Sequence, residues 1–241
     1  MSGSIALDSE RCIVLATMPY NDGRRVVRAL TESLGIVALW VSEGRGKNRN
    51  VGPWHPGALL ELRGMTRKGA EGLVRFKEMR RLMIPFELFA DVRKSAVVFF
   101  LCELMAKLIP QETEHREVFR LLWSTIESLE SAERVGWVHA EFIGALIRAL
   151  GIAPEGSGQP GHDVLDLQTG EWKAHMGVAD DHLPPPLSRW FVDLCESRGA
   201  PRECDMTQRK QLIQGQMRYL HHQMGGLRDI KSFEVLESVF N

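Results

Sequence analysis

Eight histidines and four cysteines are the side chains most able to hold a metal or act as a nucleophile. His162, Asp163 and Asp166 stand close together, and His175, Asp180, Asp181 and His182 follow. A metal site needs ligands that converge and a second layer of groups to orient them. These spacings match neither H-E-x-x-H nor C-x-x-C, so neither a metal nor any other cofactor is expected. His221 and His222 are adjacent, and neighbours on a helix point apart, so they read as a surface pair. No G-x-S-x-G elbow, phosphate loop ending in G-K-[ST], or Cys–His arrangement is found. Glu103 and Glu141 are isolated carboxylates in apolar stretches and read as ion-pair partners, not as an acid–base pair. Cys12, Cys102, Cys195 and Cys204 make no C-x-x-C motif and read as free thiols of a reducing compartment. No catalytic residue emerges, and the chain is not expected to be an enzyme.

The cations point to other chemistry. Residues 1–83 hold 14 Lys and Arg against 8 Asp and Glu, a balance of +6, while residues 84–241 hold 16 against 23, a balance of −7. A basic module joined to an acidic one suggests a polyanion partner for the first. Arg45, Lys47 and Arg49 lie in G-R-G-K-N-R-N, a Gly- and Asn-rich loop. Arg67 and Lys68 lie in a second basic turn, and Arg24, Arg25 and Arg28 form a third basic edge. Arg24 and Arg28 would share one face if their stretch is helical. These eight residues are the candidate nucleic-acid-binding set, because Lys and Arg on phosphates give salt-sensitive, sequence-neutral affinity. Sequence-neutral single-strand binders usually add aromatic platforms. Only Tyr20, Trp40, Trp54 and Phe76 are available, and Trp40, within a strand, reads as core. The pattern therefore favours tracking of the backbone over contact with bases.

The elements that must carry these cations are short and strand-like. Residues 11–18 (R-C-I-V-L-A-T-M) form a strand that Pro19 ends, and Asn21-Asp22-Gly23 has turn chemistry. Residues 35–41 (G-I-V-A-L-W-V), 58–63 and 70–82 complete a set of four or five strands. A small closed barrel of OB type buries such strands without free edges, and its loops carry oligonucleotide binding.

From residue 84 the pattern is helical. The stretch 84–110 reads I-P-F-E-L-F-A-D-V-R-K-S-A-V-V-F-F-L-C-E-L-M-A-K-L-I-P, with Glu103 and Lys107 spaced to pair. Val97, Leu101, Leu104 and Leu108 form one apolar stripe, and Val92, Phe99, Cys102 and Ala106 a second, so a buried central helix is expected. Its uncharged run is too short to span a membrane, which takes about 20 residues. Arg93 and Lys94 at its start are further candidates for DNA contact. Helices follow over 114–129, 134–150, 188–196, 206–224 and 232–240. Residues 154–186 break the pattern, with a small hairpin around Gln168-Thr169-Gly170. The expected fold class is α+β, with an N-terminal barrel over residues 1–83 and a helical domain over 84–241 interrupted by the 154–186 insert. No basic, apolar and small-residue leader opens the chain, so a cytoplasmic, nucleoid-associated location is expected.

In this order the features resemble the RecO family of bacterial DNA repair proteins, the recombination mediators. Four stretches carry the resemblance: residues 13–35 (I-V-L-A-T-M-P-Y-N-D-G-R-R-V-V-R-A-L-T-E-S-L-G), residues 56–62, the 84–105 helix start, and residues 219–236 (Y-L-H-H-Q-M-G-G-L-R-D-I-K-S-F-E-V-L). The third looks like the variant found in Bacteroidetes. The resemblance implies an OB-fold followed by a helical domain. It also implies binding of ssDNA and dsDNA, annealing of complementary strands, and loading of RecA with RecR onto DNA coated by single-strand binding protein (SSB). RecF is a further partner that it implies. Many members carry a four-cysteine zinc site in the insert, whereas residues 154–186 contain no cysteine, so zinc is not carried over. Members also bind the acidic, apolar SSB C-terminal tail through the helical domain, and Lys107, Arg116, Arg120 and Arg218 are the cations expected to receive it. Two other readings compete: a protein-binding adaptor with a degenerate barrel, and a metal-dependent hydrolase using the insert histidines.

Overall fold

The computed structural model describes residues 6–20, 24–42, 54–67, 73–83, 85–111, 113–156, 158–174, 181–225, 227 and 229–240. They form two compact units, Met1–Ala132 and Glu133–Asn241. The change from strands to helices falls between Arg81 and Phe86, within the first unit.

The first unit opens with β1 (Ala6–Tyr20), β2 (Arg24–Thr31) and β3 (Gly35–Ser42), an antiparallel meander. Next come β4 (Leu59–Arg67), β5 (Val74–Arg75) and β6 (Glu78–Arg81). The strands run β1-β2-β3-β5-β4, and β4 pairs back onto β1, which closes a five-stranded barrel of OB type. The sixth strand extends β4 alongside β5. Alternate residues Val27, Ala29, Val37, Leu39, Val41, Leu60 and Leu62 fill the interior, as the period of two requires.

Residues 24–31 form a strand, not a helix. Val26, Val27 and Leu30 suit either period, but pairing with both neighbours settles the backbone, because an unpaired middle strand would leave buried N–H and C=O groups unsatisfied. The register between β1 and β2 shifts between Val14 and Ala16, a bulge at Leu15. Cys12 and Val14 point into the barrel, and beyond the bulge Ala16, Met18 and Tyr20 point out of it.

Helices α1 (Phe86–Ala90), α2 (Val92–Leu108) and α3 (Arg116–Ser131) complete this unit. The Asp91 side chain caps α2 by accepting the Arg93 N–H at 2.7 Å. Val97, Leu101, Leu104 and Leu108 are buried, as their stripe demands. The second expected stripe divides: Cys102 is buried, but Val92 and Phe99 are exposed. The α2 helix packs on β1, where the Cys102 thiol lies 3.6 Å from the Val14 carbonyl. Burial pushes that thiol's pKa up to about 12, so it stays protonated. Gly35 opens β3 at φ +71, and a Cβ there would meet the Thr113 carbonyl oxygen at 2.2 Å, so only glycine fits this approach.

The second unit contains α4 (Val138–Ala149), a three-stranded sheet of β7 (Val164–Asp166), β8 (Trp172–Lys173) and β9 (His182–Leu183), then α5 (Leu187–Cys195), α6 (Met206–Gln223) and α7 (Lys231–Phe240). The expected hairpin is β7–β8, with order β8-β7-β9 once the third strand is added. Asp166 fastens it, accepting from Lys173 and from the N–H groups of Gln168 and Thr169. Asp181 ties the insert to α6 through Arg218 and His222. No described helix is long and apolar enough to cross a membrane.

Candidate nucleic-acid interface

The outer face of β1–β2–β3 divides into two halves. Ile13, Leu30 and Ile36 stand side by side on it and are fully buried or nearly so, although they point away from the barrel core. Toward the open ends of the strands lie two further rows, Met18–Val26–Trp40 and Tyr20–Arg24–Ser42. There Met18 is 48 % exposed and Tyr20 49 % exposed.

Arg28 marks the boundary. Its guanidinium donates to the Ala106 carbonyl at 2.9 Å, near the C-terminus of α2, where a helix favours a cation. Its buried Nε has no partner among the described residues. Arg28 therefore joins the barrel to α2. Arg24, four residues nearer the strand's start on the same face, lies with its Cζ 5.4 Å from the centroid of Trp40. The Tyr20 and Trp40 rings meet edge to face, centroids 5.2 Å apart at 62°. Among the described residues no carboxylate pairs with Arg24.

Trp40 is thus not core. In β3 the core positions are Val37, Leu39 and Val41, and Trp40 takes the alternate, outward position. The other two candidate aromatics go the opposite way: Trp54 and Phe76 pack against the barrel core, centroids 5.8 Å apart. Strict alternation from Val37 was the signal that could have placed Trp40 outside. Arg25 is half-buried and pairs across the sheet with Pro19 and Val41. Arg67 ends β4 opposite Val74. Arg45, Lys47, Arg49 and Lys68 lie outside the described residues. Of the two cations singled out at the start of α2, Lys94 is buried and donates to the Glu130 carbonyl at 2.7 Å, which removes it from any surface. Arg93 is exposed and paired with Asp91.

The four tail-binding candidates are dispersed. Lys107 pairs with Glu103 at 2.7 Å on α2. Arg116 pairs with Glu114, and Arg120 lies one turn on along α3, both near Glu32. Arg218 belongs to the second unit, where it holds Asp181 at 2.7 Å. A cation beside an apolar groove occurs elsewhere in that unit. Met206, Ile213, Phe233, Leu236 and Phe240 line a groove edged by Arg209, Lys210 and Glu237, the last paired with Lys210 at 3.7 Å. Arg209 lies 5.2 Å from the Phe240 ring and 5.4 Å from the Trp137 ring. His139 closes the groove, its pKa pushed down to about 3 by burial and then by Arg209, so the imidazole is neutral. Sequence reading missed Arg209 because its apolar companions come from α7 as well as α6.

In the insert, Asp166 and Asp181 are committed to Lys173, Arg218 and His222, and His162 is exposed. His175 and Asp180 lie outside the described residues. No group of three or more His, Cys, Asp or Glu is gathered as a metal would need among the described residues.

Two family models match the chain: Recombination protein O N terminal over residues 6–82, and Recombination protein O C terminal over residues 90–158. The first coincides with the barrel strands. The chain is 23 % identical over 237 residues to a DNA repair protein RecO of Flavobacterium psychrophilum, covering 96 % of this chain and 98 % of the relative. It is 24 % identical over 238 residues to that of Azobacteroides pseudotrichonymphae, with the same coverage. It is 30 % identical over 162 residues to that of Bacteroides fragilis, covering 64 % of this chain and 65 % of the relative. With both family models in order on a closed OB barrel and the helices after it, the chain belongs to the RecO family of DNA repair and recombination proteins.

Proposed function

We propose that this chain is a recombination mediator whose barrel binds single- and double-stranded DNA and anneals complementary strands. On this reading it acts with RecR to load RecA onto SSB-coated DNA, with RecF as a further partner. The observation that carries the reading is an OB barrel whose module has a charge balance of +6, with Arg24 and Arg25 opening β2. The protein makes and breaks no bond. Cations on two strands at once lower the repulsion between their phosphates, and base pairing then drives annealing. Arg24, Arg25, Arg45, Lys47, Arg49, Arg67 and Lys68 are the phosphate contacts, with Arg28 holding the barrel to α2 behind them. The SSB tail, acidic and apolar, fits the groove edged by Arg209 and Lys210 better than the dispersed Lys107, Arg116, Arg120 and Arg218, because it needs a cation and an apolar floor together.

Annealing of SSB-coated complementary oligonucleotides tests this reading, with Arg45, Lys47 and Arg49 replaced by Ala as its second arm. The parent chain is expected to anneal. The triple variant is expected to bind DNA more weakly, with a plot of log affinity against log salt shallower by up to about three units. A parent chain that neither anneals nor binds DNA at low salt defeats the reading. An unchanged slope removes the loop from the interface.

A further inference from the structure

The cations account for affinity to any nucleic acid, since phosphates are common to single strands and duplexes. They do not account for the bare half of the barrel's outer face. In that half two rings and a thioether lie on β1 and β3 with β2 between them, Met18 and Tyr20 each about half exposed and Arg24 of β2 over Trp40. The same face is sealed a few residues away, where Ile13, Leu30 and Ile36 are buried. Aromatic surface left uncovered costs free energy in water, so what it receives is the question.

The occupant must match three features: flat apolar faces, negative charge beside them, and access to a convex strand face at the end of β1 and the start of β2. Bases of a single strand meet all three. Every base has a π-face, and base–aromatic stacking contributes about 1–3 kcal/mol per base. A guanidinium on an aromatic ring adds a further plane on which a base can stack, or it can reach the flanking phosphate. Inside a duplex those base faces are already stacked on one another and out of reach. We propose that Tyr20, Trp40 and Arg24, with Met18 at the margin, form a base-stacking platform that gives the barrel a preference for single-stranded over double-stranded DNA. This rests on the DNA-binding reading above and adds a strand selectivity that the cations cannot supply. It also fits annealing. The platform takes one or two bases where β1 ends and β2 begins, and the rest of the strand, held only by its phosphates, keeps its pairing edges free for the complement.

The test uses the full chain, an oligothymidylate and a DNA hairpin duplex at one salt concentration, and three variants. Tyr20→Ser combined with Trp40→Leu is expected to weaken oligothymidylate binding by about tenfold or more. Duplex affinity is expected to stay within about twofold, and the salt slope to be unchanged, since no phosphate contact is lost. Trp40→Phe keeps a ring and is expected to retain most of the single-strand affinity. Tyr20→Ser alone, at a half-exposed position, gives the same readout if the double variant does not fold. Unchanged oligothymidylate affinity in Tyr20→Ser/Trp40→Leu overturns the platform while leaving DNA binding intact, and would leave the rings to a protein partner. An equal loss on both DNAs also overturns it, because it shows a structural role for the rings. A parent chain that binds neither DNA fails at the underlying reading instead.

Discussion

Two arginines of the first unit lie over aromatic rings, and they have opposite fates. Arg11 on β1 lies 5.9 Å from the Phe119 ring and 5.2 Å from the Trp123 ring of α3. Its guanidinium also makes two 2.9 Å hydrogen bonds to the two oxygens of Glu32. The pair holds the arginine pKa above and the carboxylate pKa below their ordinary values, chiefly through those hydrogen bonds. Arg24 on β2 has Trp40 and, beyond it, Tyr20, with no carboxylate among the described residues. In the first cluster the charge is neutralised by Glu32 and the rings are buried within α3's packing. The second keeps its charge and its rings. The same residue types at the two ends of one sheet are mortar in one place and a surface for a ligand in the other. What separates them is a carboxylate and the burial of the rings.

The contrast breaks most visibly in packing. Leu30→Ala in the covered half is expected to cost about 2–5 kcal/mol. Val26→Ala in the bare half is expected to cost about 1 kcal/mol, since its side chain is only half-buried. Urea unfolding of both variants reads the difference, and equal losses would mean that the two halves are covered alike. A smaller effect separates the arginines. Arg11→Ala loses a partly exposed ion pair and a cation–π contact, together about 1–2 kcal/mol. Arg24→Ala is expected to cost about 0.5 kcal/mol in stability, while flattening the single-strand salt slope by about 0.7 units. If Arg24→Ala destabilises the fold as much as Arg11→Ala, both arginines are structural. The smallest effect depends on pH. Glu32 has a lowered pKa in the folded protein, so its contribution is fully present above the ordinary carboxylate value of about 4.3 and fades as the pH falls through the lowered one. The stability gap between the parent chain and Arg11→Ala is therefore expected to narrow in acid, by less than about 1 kcal/mol because both side chains are partly exposed. A gap that stays constant from neutral pH into acid would place the value of Arg11 in its stacking alone.

The fold was largely legible, because period-two strands, the run of helices from residue 84 and the Gln168-Thr169-Gly170 turn all have local causes. Face and cover were not. Residues 24–31 have an apolar pattern that suits helix and strand alike, and only the partners on either side decide it. Trp40 looked like core because tryptophan in an apolar strand usually is, yet its position in the alternation with Leu39 and Val41 sets it outside. Val92 and Phe99 looked like core because apolar residues surround them, yet they lie on the exposed side of α2. Lys94 looked like surface because it is charged, yet its ammonium ends on the Glu130 carbonyl within the unit. In each case the residue type gave the average answer, and a neighbour distant in sequence gave the particular one. The resemblance to the RecO family was sound because it rested on the order of several stretches along the chain, which single misplaced residues do not disturb.

The extra residue at Leu15 has a consequence beyond local geometry. Before it, the inward set on β1 contains Cys12 and Val14, and after it Thr17 and Pro19 take the inward register opposite Val27 and Arg25. In a strand of the same length without the bulge, Met18 and Tyr20 would fall on the barrel side and Thr17 would come to the surface. A point substitution edits one side chain, whereas the bulge at Leu15 selects which alternate half of the strand's vocabulary is spoken to solvent. The character of the barrel's exposed face is thus written in where the pairing slips as much as in composition, and a regular register through Leu15 would rewrite it without changing any amino acid.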